Sequence, residues 1–149
     1  MKNMPTVKPA VVAVSRDCFP KELAQRRKDT LLQTCSGKGV SICGVDTVVE
    51  DETDVMKVLD RLAEQQVNAL VIYLGNFGPE GPASLLAQRF PGPVMVAGAA
   101  EETAEDLVEG RGDAFCGMLN VSYSLGLRGL RVHIPSYPIG TAEEVAGMI

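Results

Sequence analysis

Residues 11–27, VVAVSRDCFPKELAQRR, decide how the chain is read. An apolar run climbs to Ser15, where a buried strand would end. Arg16 and Asp17 then set opposite charges side by side. Pro20 follows where a helix starts well, because its missing N–H would be unpaired in the first turn anyway. Strand, charged turn and helix make the first half of a βα unit, and the remaining chain repeats the pattern.

Five short apolar runs read as strands: residues 10–15, 40–45, 69–74, 93–97 and 130–134. Most are continuous rather than alternating, as strands covered on both faces require. Helical spacing lies between them. Leu23, Leu31, Leu32 and Cys35 give a stripe after Pro20, broken by the basic residues 26–28; the basic cluster 21–28 reads as a solvated helix face or as a contact with a neighbouring acidic surface. Residues 52–66 carry Val55, Val58, Leu59, Leu62 and Ala63 in helical register. Shorter helices are predicted near 82–90 and 115–127. The alternation predicts an α/β fold, a flavodoxin-like three-layer sandwich with a five-stranded parallel sheet of order 2-1-3-4-5. The acidic connection 99–113 reads as partly helical. Thr141 and Glu144 form a capping-box pattern that opens a last helix. That helix starts close to Ile149, so residues 1–149 are read as a single α/β domain, the N-terminal one of a longer chain.

The composition agrees with one domain. The 149 residues are 46% hydrophobic, enough to bury a core and too apolar for disorder. No apolar run approaches a membrane span, and the charged pair at 16–17 comes too soon for a secretory signal. A cytoplasmic protein with no membrane partner is the expectation. The net charge of −5 is uneven: residues 1–40 carry eight basic and three acidic side chains, and the rest six and sixteen. An acidic body argues against nucleic acid as a partner. Cys18, Cys35, Cys43 and Cys116 form no CxxC pair, and the single histidine, His133, falls inside the fifth run. No zinc site is predicted, and the cysteines read as small buried apolar residues.

In an open α/β sheet, ligands gather beyond the carboxyl ends of the strands, where the winding reverses. For the predicted order that crevice lies between the first and third strands. Arg16, Asp17 and Phe19 follow the first strand. Asn76 and Phe77 follow the third, between Gly75 and Gly78. Gly98 follows the fourth, and Asn120, Ser122 and Tyr123 approach from the fourth helix. Arg16, Asp17, Asn76, Phe77 and Asn120 are therefore the candidate ligand-binding residues. A guanidinium fork, an amide and an aromatic face suit a polyhydroxylated ligand. Spacing alone leaves a second reading open, a salt-bridged loop closing the top of the sheet. Sharper motifs fail. There is no phosphate-cradling loop, residues 37–44 precede a strand and lack the dinucleotide spacing, and the third strand ends on Leu74–Gly75 without a phosphoacceptor carboxylate. No complete catalytic set is found.

Three segments carry a resemblance: residues 12–23 (VAVSRDCFPKEL), 69–86 (ALVIYLGNFGPEGPASLL) and 112–149 (GDAFCGMLNVSYSLGLRGLRVHIPSYPIGTAEEVAGMI). In order and spacing the chain resembles the N-terminal domain of the L-fucose isomerase and L-arabinose isomerase superfamily. The resemblance implies an aldose–ketose isomerase working through an enediol, with a divalent metal, usually manganese, held by two acidic residues and a histidine. Those ligands belong to later domains, and no residue here matches them, so this segment alone is expected to be inactive and without a cofactor. The N-terminal domain is implied to shape multimer contacts and to touch the far end of the sugar in an adjacent subunit. Arg16 falls at the polar position after the first strand, and Asn76 and Phe77 in the turn after the third. Fucose isomerases often carry tryptophan in that turn. This chain has none, which leaves the sugar open. The implied partners are a sugar, the C-terminal catalytic domains and further copies of the chain; the opposite charges of residues 21–28 and 101–109 suggest one pairing between copies. A stand-alone sugar or metabolite-binding module, and a structural flavodoxin-like domain, are the alternatives.

Overall fold

The computed structural model describes residues 3–102 and 111–149. Its elements run β1 (Pro9–Val14), α1 (Lys21–Gly37), β2 (Cys43–Gly44), α2 (Glu52–Glu64), β3 (Ala69–Leu74), α3 (Glu80–Arg89), β4 (Val94–Ala99), α4 (Ala114–Leu127), β5 (Ile139–Gly140) and α5 (Ala142–Met148). The sheet order is β2-β1-β3-β4-β5, every pair parallel. The α/β sandwich of order 2-1-3-4-5 is thus the observed fold. Helices α2, α3 and α4 share one core with the sheet, and α1 and α5 share the other. Because both faces are covered, the central strands are buried almost without a break.

The two edge strands are shorter than predicted. Of residues 40–45 only Cys43 and Gly44 form a ladder with β1. The next carbonyl, that of Val45, accepts from the Lys28 ammonium, and the chain rejoins β1 through one bridge at Val49. At the other edge residues 130–134 form no strand. His133 makes a single bridge with Met95, and the ladder resumes only at Ile139. Pro135 and Pro138 lie between, and neither has an N–H to give a neighbour. Of the connection 99–113 expected to be partly helical, residues 103–110 lie outside the described residues.

The basic run in α1 is a solvated face only in part: Lys21 and Arg26 are exposed, whereas Arg27 and Lys28 are buried. Arg27 is 5% exposed and Lys28 2%. Their positions explain this, because Ala24, Lys28, Leu31 and Cys35 fall four, three and four apart on one stripe. Burial follows helical position, and the charges are then satisfied locally. Lys28 donates to Val45 O and to Gln25 Oε1, and burial pushes its pKa below 10.5. Arg27 donates to Gly75 O and Glu101 Oε2 and sits within 3.7 Å of Glu102. The basic helix and the start of the acidic segment therefore meet within one chain. The cysteines also divide: Cys35 is buried, its thiol pushed up by burial, and Cys43 is half-buried, whereas Cys18 and Cys116 are exposed, against expectation. The capping box at Thr141 and Glu144 is present and opens α5.

Tyr73, 1% exposed on β3, gives a pH signature. Burial pushes its pKa up to about 12; Arg27 lowers it less strongly and Glu102 raises it. A raised acid keeps its proton in the folded state after the unfolded chain has lost it. The associated stability is complete below about pH 10 and disappears as the pH climbs from 10 to 12. Comparing urea unfolding at pH 8 and 11, the wild type should lose about 1.4 kcal/mol more than Tyr73→Phe. Lys28, with its pKa lowered, shifts stability the opposite way in both proteins and cancels in the comparison. Equal losses in the two would refute the buried-phenol account.

Candidate functional site

Two loops meet where β1 and β3 end. After β1 the chain turns at once, with Phe19 N–H donating to Arg16 O at 2.8 Å. Asp17 and Cys18 occupy the exposed corner of this turn. After β3 comes Gly75-Asn76-Phe77-Gly78. Gly75 is required by close approach, since a Cβ there would lie 2.5 Å from the Ala24 Cα of α1. Gly78 is required by backbone, with φ +69°.

Asn76 locks the two loops together. It is 0% exposed. Its Oδ1 accepts from the N–H groups of Arg16 and Gly78, each at 3.1 Å. Its Nδ2 donates to Ser15 Oγ at 2.7 Å and Pro20 O at 3.2 Å. All four capacities of the amide are used within the chain. Asn76 therefore offers no free donor or acceptor to a ligand, in contrast to the sequence expectation; it holds the backbone on which Arg16 and Phe77 stand.

Phe77 stacks on Phe19, with ring centroids 5.6 Å apart and planes at 19°. The Arg16 guanidinium lies over the Phe77 ring at 4.9 Å, a cation–π contact. On its other flank is Glu80, with Nη2 and Oε2 3.5 Å apart and the two side chains 35% and 40% exposed. Glu80 Oε2 is buried there and makes no hydrogen bond among the described residues. Arg16 thus pairs with Glu80, and no ion pair joins it to Asp17 among the described residues. Glu80 was not singled out in the sequence; its signal was Pro79, which places it in the first turn of α3.

Beyond Glu80 a groove of about 290 Å³ continues between Asn120, Tyr123, Ser124 and Leu127. Arg16 and Asn120 therefore share one neighbour, Glu80, with Phe77 against the Arg16 guanidinium, while Asp17 stands apart on its turn. Helix α4 is set against the loop by Gly117, where a Cβ would overlap Phe77 O. Its start is held by Glu101, whose Oε1 accepts from Gly112 and Asp113 N–H and whose Oε2 accepts from Arg27. Gly98, expected in the crevice, is instead packed within β4 between Ile139, Leu74 and Ala114. A larger depression, about 660 Å³, runs along the outside of α1 beside Asp46–Val48. It lies beside the loop that follows β2 and the first turns of α1, on the other side of the β1 turn from Glu80, and none of its lining side chains is both charged and buried.

The arrangement supplies a fixed cation, a carboxylate, an amide and hydroxyls around a shallow groove. It suits hydrogen bonding to a hydroxylated molecule. Among the described residues no three His, Cys, Asp or Glu side chains converge as metal ligands, so this donor set does not fit a manganese site. No helix among the described residues is long and apolar enough to cross a membrane.

The family model described as fucose/sulfoquinovose isomerase, N-terminal domain, matches residues 10–149. No curated protein matches the chain. Among solved structures, a LacI-family transcriptional regulator from Weissella paramesenteroides, crystallised with bound glucose, superposes with a TM-score of 0.37 at 15% identity. The superposition covers 91% of this chain and 58% of that one, so the chain spans little more than half the regulator's length.

Proposed function

The chain belongs to the fucose/sulfoquinovose isomerase N-terminal domain family, and on that premise we propose that it is the sugar-recognition and assembly domain of an aldose–ketose isomerase. The observation that carries the reading is Arg16, held over Phe77 and beside Glu80 at the strand-end crevice. Its guanidinium is half exposed, fixed by its own turn, and charge-balanced by a carboxylate. Balanced charge favours a neutral, hydroxyl-rich ligand, because an anion would have to displace or repel Glu80. Arg16 donates to sugar hydroxyls, Phe77 positions it, and Asn120 reaches the sugar from α4. Asn76 acts through the backbone. Manganese, and the proton transfers of an enediol route, belong in this proposal to later domains; this chain's residues bind and orient the end of the sugar remote from that chemistry.

The test is a titration of the isotopically labelled chain with L-fucose, L-arabinose and sulfoquinovose, followed by amide chemical shifts. Shifts centred on Arg16, Phe77, Glu80 and Asn120 are expected, larger for a neutral sugar than for the sulfonated one. Arg16→Ala should weaken binding about tenfold, the worth of one charged hydrogen bond, and leave the urea midpoint nearly unchanged, because both side chains are partly exposed and truncating Arg16 opens Glu80 Oε2 to water. Shifts confined to the groove along α1, or none with any sugar, would overturn the proposal.

A further inference from the structure

A second cleft, of about 350 Å³, opens on the face of the sheet that α1 and α5 cover. It shares no lining residue with the groove beside Glu80 and Asn120. Its walls are mostly small and apolar, with Ala99, Ala100 and Ala142 beside Tyr73. The hydroxyls of Thr30 and Thr141 at its margin are engaged in their own helices. Arg27 and Glu102 supply the polar groups that remain. Arg27 is 5% exposed, and most of its guanidinium is committed. Its Nη1 donates to Gly75 O and its Nη2 to Glu101 Oε2. Glu101 is committed as well, because its other oxygen holds the N–H groups of Gly112 and Asp113. Arg27 Nε is left over. It is buried and makes no hydrogen bond among the described residues. Glu102 Oε1 stands 3.7 Å from it, beyond hydrogen-bond reach. A buried donor without an acceptor is costly, and Glu102, with its side chain 60% exposed, has room to yield to a better acceptor.

We propose that this cleft binds a small uncharged carboxamide on a flat apolar body, its carbonyl oxygen accepting from Arg27 Nε–H and its amino group donating to Glu102. The cleft presents one donor and one acceptor 3.7 Å apart. An amide edge carries an acceptor and a donor on neighbouring atoms, in the complementary order. A single hydroxyl would have to make both bonds from one oxygen. With bonds of about 2.9 Å the angle between them would be acute, and the other hydroxyls of a polyol would face alanine methyl groups unpaired. A carboxylate brings a negative charge to a cleft where Glu101 and Glu102 already outnumber Arg27. An amidinium offers donors only and meets the Arg27 guanidinium. The neutral amide satisfies both groups without either repulsion, and its body covers the alanine walls. The inference stands whichever ligand the Glu80 groove takes.

Proton–nitrogen correlation spectra of the whole chain, read at the arginine Nε–H and the backbone amides, test it with an isosteric set: benzamide, benzoate and benzamidinium, with xylitol as the polyol. Benzamide should move the Arg27 Nε–H downfield, together with the amides of Ala100, Glu102 and Ala142, in a response centred there and not at Arg16 or Phe77. The other three probes should bind roughly tenfold more weakly or less. Glu102→Ala should weaken benzamide about tenfold and narrow its lead over benzoate. Ala142→Leu fills the cleft, leaves Arg27 and Glu102 intact, and should abolish the response. Urea midpoints near the wild type establish that both variants fold. Equal responses to all four probes, another probe binding best, or an unmoved Arg27 Nε–H would overturn the proposal. A benzamide response centred on Arg16, or one that survives both variants, would overturn it equally.

Discussion

Gly117→Ala is expected to destabilise the domain by about 3 kcal/mol or more. In an exposed helix the same change would stabilise, because alanine is the better helix former by about 1 kcal/mol. Here the added methyl would overlap the Phe77 carbonyl oxygen and approach the Phe77 Cα to 2.9 Å. Both are backbone atoms and cannot swing aside. Nor can the loop recede, since Gly75 already abuts the Ala24 backbone on its far side. The β3 loop is therefore clamped between α1 and α4, and a methyl at Gly117 must push one of them away. Gly126→Ala, near the other end of α4, is the control: a Cβ there meets nothing within 4 Å, and a gain of about 0.5–1 kcal/mol is expected. Urea unfolding of the two variants should move in opposite directions. If both stabilise, the clamp does not exist.

Asn76→Ala should rank next, at about 3–4 kcal/mol. The amide is fully buried, and its removal orphans two backbone donors, at Arg16 and Gly78, together with the Ser15 hydroxyl and the Pro20 carbonyl. Asn76→Asp separates the two halves of the network. It retains the two accepted bonds, loses the two donated ones, and buries a carboxylate, so it should be destabilised as well. Sugar affinity should fall in any variant that still folds, since Arg16 loses the bond fixing its backbone. An Asn76→Ala protein within about 0.5 kcal/mol of the wild type would show that the amide is not the staple of the two loops.

These two residues mark how far the sequence could be read. The two turns carrying Arg16, and Asn76 with Phe77, were legible as the carboxyl-end edge of the sheet, because a continuous apolar strand that ends in polar residues marks the carboxyl end of a parallel sheet. Which of those residues faces outward was not. Arginine and asparagine are equally polar in a string of letters, but only the geometry of the two loops shows that one amide is consumed by four internal partners while the guanidinium stays half free. The basic run of α1 was legible only in part, for a related reason. Its charges suggested solvent, and its position on the stripe through Ala24, Leu31 and Cys35 placed Arg27 and Lys28 inside.

By itself the sequence determined the order of strands and helices, the two-sided burial of the central strands and the cap of the last helix, because each follows from periodicity and local hydrogen bonding within a few residues. The family resemblance was likewise carried by residue order. The tertiary structure alone decided the lengths of the edge strands, the partner of Arg16 and the burial of Lys28. Those depend on contacts between segments far apart in the chain, such as Arg16 with Glu80 or Gly117 with Phe77. A hydrophobic pattern specifies which side of an element prefers to be covered; only packing shows whether something covers it.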